Sequence, residues 1–131
     1  MSYLLDTTVL LEVLRAAPSP KLVRRLSSVP SRERFTSVIT VSQILLAARR
    51  QDDARLMQEV VRLVSSIRVA PYDLGAAQSF AKLRATEAGD AETDDVMIAA
   101  IAVSRDLTLV TRRADQFKRY KRLRVEDWIG G

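Results

Sequence analysis

The residues best suited to chemistry in this chain are aspartates placed beside short apolar segments. Asp6 ends the run SYLLD, and the adjacent Asp94 and Asp95 precede the long apolar stretch VMIAAIAV. Thr111 and Asp115 follow a third apolar segment, LTLV. The chain has no histidine and no cysteine, which excludes disulfides, cysteine nucleophiles, Cys/His zinc sites and histidine-based triads. Any catalysis must therefore use carboxylates, hydroxyls, Lys, Arg or a metal ion held by oxygen atoms.

The positions of these residues favour a shared site for a divalent cation. In a parallel α/β sheet, ligands bind where strands end and helices begin. Asp6, the pair formed by Asp94 and Asp95, and the segment from Thr111 to Asp115 all lie at such boundaries. Mg²⁺ prefers carboxylates, waters and substrate phosphate, and two such ions about 3.5–4 Å apart can activate water for attack on a phosphodiester. Adjacent helical side chains point about 100° apart, so at most one of Asp94 and Asp95 should face the site.

Helix capping is the simpler role for each of these polar residues taken alone. Asp6 is a suitable N-cap, and an acid in the first turn, such as Asp94, stabilises a helix by roughly 0.3–1 kcal/mol. Thr93 is available as the cap of the helix that Asp94 opens. Thr40 and Gln43 match the capping box S/T-x-x-E/Q, which predicts that a helix begins there.

Short apolar segments alternate with segments of helical periodicity. Apolar or small residues recur at positions 41, 44, 45 and 48, and again at 57, 60, 61 and 64, which predicts two successive helices. Strands are predicted at 2–6, 34–39, 67–70, 107–110 and 123–127. This alternation predicts a three-layer α/β/α fold with a central, mainly parallel sheet, in which residues 1–131 form a single domain.

The charge of the chain favours an anionic partner. The net charge is +5 at pH 7, with a pI near 10.1, and a basic surface suits a polyanion such as nucleic acid. Arg112, Arg113 and Lys118 belong to a basic run that could hold a nucleic-acid backbone, although a solvated surface is the default interpretation of such a run. No signal peptide is predicted, and the apolar stretch 96–103 is too short to cross a bilayer. We therefore expect a cytoplasmic protein.

Three segments, read in order, resemble the PIN domain, specifically the VapC-type ribonuclease toxins of prokaryotic toxin–antitoxin pairs. These segments are LLDTTVLLEVL, SVITVSQILLAA and DDVMIAAIAVSRDLTLVTRRADQF, and the resemblance covers nearly the whole chain. It implies a small α/β/α fold in which an acidic quartet binds Mg²⁺, with Mn²⁺ as a substitute, and RNA is cleaved. It also implies a cognate VapB-like antitoxin that blocks the site, and a homodimer.

The resemblance assigns roles to individual residues. Asp6 matches the first acid of the family, and Asp95 matches the acid that precedes IAA in the third segment, which leaves Asp94 as its solvated neighbour. Thr111 matches the threonine that follows the LTLV-like strand, and Asp115 lies where a further acid commonly contributes. The resemblance thus implies a catalytic group of these residues, with Asp6, Asp95 and Asp115 as metal ligands.

Two positions depart from the family pattern. Gln43 lies where the family has a glutamate, and Arg113 lies where it often has Asn or Asp. Glutamine keeps one acceptor oxygen but loses the charge, so a Mg²⁺ site with Gln43 in its catalytic group should bind the metal more weakly. Both a naturally weakened member and a glutamine introduced to silence a toxic nuclease are consistent with this departure.

Three hypotheses follow from these observations. The first is a Mg²⁺-dependent endoribonuclease that hydrolyses RNA phosphodiester bonds and is weakened by Gln43. The second is a catalytically inactive PIN-like module that binds RNA or an antitoxin without cleaving. The third, a phosphoryl-transfer enzyme with Asp6 as nucleophile, is less favoured because such enzymes usually need a second aspartate at the position of Thr8.

Overall fold

The fold is a parallel β-sheet between two layers of helices. The computed structural model describes residues 1–130, and its five strands pair only in parallel, in the order β3-β2-β1-β4-β5. The strands are β1 (Tyr3–Leu5), β2 (Arg34–Ser37), β3 (Arg68–Ala70), β4 (Thr108–Val110) and β5 (Val125–Glu126). The helices within the described residues are α1 (Thr7–Val13), α2 (Pro20–Ser27), α3 (Val38–Arg50), α4 (Ala54–Ser65), α5 (Leu74–Thr86), α6 (Thr93–Arg105) and α7 (Ala114–Phe117).

Each face of the sheet has its own apolar core, because successive side chains of a strand point to opposite faces. Leu4 of β1 packs in a cluster with residues of α5 and α6, including Leu83 and Ile101. Leu5 packs on the other face, in a cluster with residues of α1 to α4 that includes Ile44. The predicted three-layer architecture with a parallel sheet is therefore confirmed.

Helix α6 is the central support of one of these cores. Its residues 98–102 are all at most 1% exposed, as the apolar run in the sequence predicted. The helix ends at Asp106, which adopts the left-handed conformation (φ 57°) often found just beyond a helix C-terminus. A helix buried over this length holds the acids of its first turn more rigidly than a loop would.

The boundary between β2 and α3 differs from the prediction. The β-branched residues Val38 and Ile39 favoured a strand up to position 39, but the strand ends at Ser37. The Ser37 hydroxyl accepts a hydrogen bond from the backbone N–H of Thr40 and so caps α3 at Val38. The capping box predicted for Thr40 and Gln43 is therefore wrong, and the Gln43 side chain is available for other contacts.

The parallel arrangement brings all strand C-termini to one edge of the sheet. Asp6 directly follows β1, and its backbone N–H donates to Val110 O of the neighbouring β4. Thr111 directly follows β4, and its backbone N–H donates to Glu126 O of β5. Residues at the starts of the helices therefore meet at this edge. Within residues 1–130, no helix combines the length and apolar character needed to span a membrane.

Candidate functional site

A polar pocket of about 510 Å³ opens at the carboxyl edge of the sheet. It is lined by residues from the starts of α1 and α6, from α3 and from the segment after β4: Thr7, Thr8, Gln43, Glu92, Thr93, Asp94, Asp95 and Arg113. A groove of similar volume, about 520 Å³, lies between α1 and α4, but Glu59 is the one acid in its lining. The pocket at the sheet edge is therefore the candidate site, because Glu92, Asp94 and Asp95 line it together with polar residues from other parts of the chain.

Asp6 is buried directly before the pocket residues Thr7 and Thr8, and it has the capping role considered for it. Its Oδ1 accepts hydrogen bonds from the Val9 backbone N–H (3.2 Å) and the Thr8 hydroxyl (2.6 Å), so it caps α1. Its Oδ2 is buried and has no hydrogen-bond partner of normal geometry among the described residues, although the Thr111 hydroxyl is near enough to influence the carboxyl. Burial raises the pKa of the Asp6 carboxyl, although the hydroxyls of Thr111 and Thr8 and the charge of Arg113 act in the opposite direction.

Gln43 connects three helices across the pocket. Its Oε1 accepts a hydrogen bond from the Thr7 hydroxyl at 2.5 Å, and its Nε2 donates to Asp94 Oδ2 at 3.2 Å. The amide thereby joins α1 to α6 through α3. A glutamate would keep the first contact but would place a negative charge against Asp94. Position 43 thus lies within the acidic site, and the neutral amide supplies a hydrogen bond to Asp94 without a cation.

Asp95 is paired with an arginine. Arg113 donates from Nη2 to Asp95 Oδ1 (2.9 Å) and from Nη1 to Asp95 Oδ2 (3.1 Å), so it engages both carboxylate oxygens. The guanidinium also lies over the ring of Phe117, 5.5 Å from its centroid. Its pKa is raised, first by the hydrogen bond to Asp95 and further by the charges of Asp95 and Asp6, while burial acts against them. Asp95 therefore contacts this guanidinium directly, and the charge of Asp6 acts on it as well.

The remaining expected residues divide into those near the pocket and those outside it. Thr111 is buried beneath the site, and its hydroxyl accepts a hydrogen bond from the Arg113 backbone N–H at 3.0 Å. Asp115 does not line the pocket: its side chain is 92% exposed and pairs with Lys118 at 2.9 Å. It lies in the first turn of the four-residue α7, which directs it to solvent. The structure does not bring Asp115 to the other acids.

Two residues that support the site were not singled out in the sequence. Glu12 is 2% exposed and accepts hydrogen bonds from Arg15 and Arg112, so it fixes the segment after β4 against α1. The pair of opposite charges three residues apart, Glu12 and Arg15, was the available signal. Arg84 of α5 donates to two backbone carbonyls in the turn before α6 and to the Thr93 hydroxyl.

The predicted cap of α6 is wrong. Thr93 is the first residue of the helix, and its hydroxyl accepts from Arg84. The N-cap position belongs to Glu92, whose side chain makes no capping hydrogen bond. The acids Asp94 and Asp95 therefore lie in a first turn whose backbone N–H groups lack a side-chain cap, which favours negative charge there.

The donor atoms of this site fit a divalent cation in part. Mg²⁺ and Mn²⁺ require oxygen ligands that are free to bind them. Asp6 Oδ2 meets that requirement because it is buried without a partner, whereas both oxygens of Asp95 are engaged by Arg113. Within residues 1–130, no group of three or more acidic side chains is arranged to hold a metal ion. The site thus has a free ligand at Asp6 but is short of available carboxylates.

Known proteins with similar sequences and structures share one fold. Residues 3–123 match the family model described as PIN domain. A tRNA(fMet)-specific endonuclease VapC of Shigella flexneri is 30% identical over 132 residues, covering 98% of each chain. Toxin FitB of Neisseria gonorrhoeae is 31% identical, covering 87% of this chain and 89% of its own. The crystal structure of DNA-bound VapBC from Salmonella typhimurium superposes with a TM-score of 0.83 at 27% identity, covering 98% of both chains.

Proposed function

This chain belongs to the PIN domain family, in its VapC-type group of toxin ribonucleases, and from that premise we propose that it hydrolyses RNA phosphodiester bonds with a divalent cation. The observation that supports this proposal most directly is the buried, unpartnered Asp6 Oδ2, which lies in the site where Asp95 also converges on Arg113. An unpaired carboxylate oxygen in a buried setting is destabilising unless a ligand satisfies it. A cation is the ligand that suits it.

In this proposal Asp6 and Asp95 hold the cation, which is Mg²⁺ or Mn²⁺. When bound, the ion supplies Lewis-acid chemistry that stabilises charge on the reacting phosphodiester. Asp115 has no part in it, because its side chain is exposed and paired with Lys118. The hydroxyl of Thr8 holds Asp6 in place, and Thr111 orients the segment that carries Arg113.

Arg113 has two roles in the proposed reaction. Without ligand, its guanidinium neutralises Asp95. With RNA present, the same planar group is suited to bind two oxygens of a phosphodiester, since its fork of N–H donors matches phosphate geometry. The side chain is about one-third exposed, so it has access to a substrate in the pocket.

We expect the activity to be weak. Compared with the family pattern, Gln43 removes one negative charge from the site, and Arg113 adds a positive charge beside Asp95. Both changes disfavour a divalent cation by simple electrostatics. The test is cleavage of labelled RNA by the purified chain with Mg²⁺, with Mn²⁺ and with EDTA, beside an Asp6→Asn variant. Cleavage that persists in EDTA, or that is unchanged in Asp6→Asn, would contradict the proposed mechanism.

The second candidate is a PIN module that binds RNA or an antitoxin without cleaving. The observation that favours it is the pairing of both Asp95 oxygens with Arg113, which leaves this carboxylate without a free oxygen. The Gln43→Glu/Arg113→Asn double variant separates the two candidates. Metal-dependent cleavage by that variant indicates a complete but suppressed nuclease site, whereas absence of Mn²⁺ binding in calorimetry indicates a binding module.

We also propose a VapB-like antitoxin as partner, by similarity to the VapBC structure of Salmonella typhimurium and to FitAcB from Neisseria gonorrhoeae. A homodimer, which the family resemblance implies, belongs to the same proposal. We also propose a cytoplasmic location, because an RNA substrate and an antitoxin are found inside the cell. Light scattering of the chain alone, and then with the co-expressed antitoxin, tests the assembly.

A further inference from the structure

One face of α2 carries a stripe of basic and polar side chains. Lys21, Arg24, Arg25 and Ser28 are spaced three, four and seven residues from the first, which places them on the same side of the helix. A groove of about 420 Å³ lies between this side of α2 and Asp127 and Trp128 after β5. Of these four residues, we call the two exposed cations, Lys21 and Arg24, the α2 stripe.

Arg25 fixes the orientation of this helix. Its guanidinium lies over the rings of Tyr3 and Trp128, 5.4 and 4.7 Å from their centroids. Its Nη2 also lies 3.3 Å from Tyr3 Oη and 3.4 Å from Glu126 Oε1. These contacts hold Arg25 against the sheet. The α2 stripe therefore has a defined position along the groove instead of being part of a mobile surface helix.

Among the described residues, no acid lies at salt-bridge distance from the α2 stripe. Lys21 and Arg24 are exposed, and within residues 1–130 neither forms a salt bridge nor donates a side-chain hydrogen bond. The acid nearest in the groove, Asp127, uses its Oδ1 to accept from the backbone N–H groups of Ile129 and Gly130. Like charges at this helical spacing repel each other, and a bound polyanion relieves that repulsion.

The basic residues expected from the sequence to hold RNA are in a different situation. Arg112 pairs with Glu12, Arg113 with Asp95, and Lys118 with Asp115. Each of these three cations must give up an acidic partner before it binds a phosphate. The α2 stripe has no acidic partner at salt-bridge distance, so its side chains can contact an anion without breaking a salt bridge, and the charge of Asp127 acts on Lys21 only at longer range.

The groove beside α2 and the acidic pocket are both lined by residues that follow strand C-termini. Glu126 ends β5, which pairs with β4, and Thr111 follows β4 beneath the pocket. Neighbouring strands are about 4.8 Å apart, so the two sites lie a few strand spacings from each other. Burial raises the pKa of Asp127, whereas the two backbone hydrogen bonds and then the charges of Lys21 and Arg112 lower it, so the stripe and the segment after β4 both lie near this acid.

We propose that the α2 stripe binds the phosphate backbone of a single RNA strand that runs along the sheet edge from the acidic pocket. This inference rests on the proposed function, because it concerns the substrate of that site. RNA is favoured over an acidic polypeptide because every nucleotide carries a charge, so adjacent phosphates can face cations three residues apart on a helix. A polypeptide would need acids at matching positions.

The test is binding of a fluorescein-labelled oligouridylate, measured by anisotropy in EDTA over a salt series. The variant is Lys21→Gln/Arg24→Gln, and the matched control is Arg49→Gln/Arg50→Gln. The control residues are exposed at the end of α3, roughly 10 Å of helix rise beyond Gln43, and the charge change is the same. Thermal melts confirm that both variants fold.

We expect the stripe variant to reduce the slope of log K against log salt by about 1.4, since each lost phosphate contact on a single strand removes about 0.7. The corresponding loss of affinity near 0.1 M salt is at least about tenfold. The control should lose much less. Equal losses in the two variants would mean that net charge alone is measured, and would overturn the inference.

Three further results separate this inference from its alternatives. If the stripe variant loses binding of labelled polyglutamate while its RNA binding is unchanged, the occupant is an acidic polypeptide and the inference is wrong. EDTA makes the assay independent of cleavage. A chain that binds RNA through the stripe but never cleaves it supports the inference and contradicts the proposed function. A chain that cleaves RNA, with stripe and control variants that bind alike, contradicts the inference alone.

Discussion

The replacement of Gln43 by glutamate should make the stability of the fold depend on a bound divalent cation. The Thr7 hydroxyl donates to Gln43 Oε1 at 2.5 Å, and a glutamate oxygen can accept the same bond. The other end of the side chain changes sign, because Gln43 Nε2 donates to Asp94 Oδ2 at 3.2 Å. In Gln43→Glu that donor becomes a second carboxylate oxygen. The variant therefore loses the hydrogen bond to Asp94 and gains a repulsion between two carboxylates, which a divalent cation can remove.

The size of this effect follows from that distance. Two like charges about 3.2 Å apart repel by about 1.3 kcal/mol in a water-like dielectric, which suits a pair this close to solvent. The lost hydrogen bond adds about 0.5–1 kcal/mol. Rotation of the glutamate away from Asp94 reduces the sum, so we expect a loss of about 1–2 kcal/mol without metal. For a chain of this size that corresponds to roughly 3–8 °C in melting temperature.

The assay is a thermal melt of the natural chain, Gln43→Glu and Gln43→Ala, each in EDTA and with MnCl₂. The alanine variant loses both hydrogen bonds without adding charge, so it should be destabilised and should gain no more from Mn²⁺ than the natural chain does. Gln43→Glu should recover its loss, since an ion present at about 100 times its Kd stabilises by about 2.7 kcal/mol. Equal stabilisation of all three proteins by Mn²⁺ would refute the view that charge at position 43 controls the metal site.

Three other predictions concern neighbouring residues. Arg113→Asn should raise Mn²⁺ affinity in calorimetry roughly tenfold, because a single and a double positive charge about 5 Å apart repel by about 1.7 kcal/mol in water; unchanged affinity would contradict this. Asp6→Asn should raise the melting temperature in EDTA at pH 7, because burial raises the pKa of the Asp6 carboxyl above its unfolded value of 3.8. The folded state then binds the proton more tightly, so the stability of the natural chain falls as pH rises from 3.8 through the folded pKa. The higher melting temperature of Asp6→Asn should therefore disappear near pH 3, and a difference in melting temperature that does not change with pH would contradict the prediction. Arg84→Met should accelerate amide exchange in the turn before α6, where Arg84 donates to two carbonyls, while Lys82→Met, on the exposed side of the same helix, should not.

Much of the fold could be predicted from the sequence because its signals are local and repeated. The alternation of short apolar segments with helical periodicity predicted the parallel sheet, and the uninterrupted run after Asp95 predicted a buried helix. The position of Asp6 at the end of the first strand followed from the same pattern. These features depend on which residues are apolar, and the order of the sheet then brings the strand ends together.

The sequence-based predictions were wrong where a side chain can hydrogen-bond to more than one partner. Val38 and Ile39 favour a strand by propensity, but the Ser37 hydroxyl caps a helix before them, so this local hydrogen bond decides the boundary. Gln43 matched a capping pattern, yet it bonds Thr7 and Asp94, which are distant in sequence. The pairing of Arg113 with Asp95 likewise depends on the approach of two segments, and a sequence pattern does not specify it.

The two departures from the family pattern act on the same electrostatic problem. Several carboxylates at one sheet edge repel one another unless a cation lies between them. Gln43 supplies an N–H to Asp94, and Arg113 supplies two N–H groups to Asp95, so each departure satisfies one acid from within the chain. Asp6 Oδ2 remains the one buried carboxylate oxygen without a partner in the described part of the chain. If both departures replace the same missing cation, reverting them together should raise Mn²⁺ affinity by more than the sum of the separate effects, because a cation needs both acids at once. A double-mutant cycle of Gln43→Glu and Arg113→Asn measures that coupling, and strictly additive free energies would show that the two positions act on separate sites.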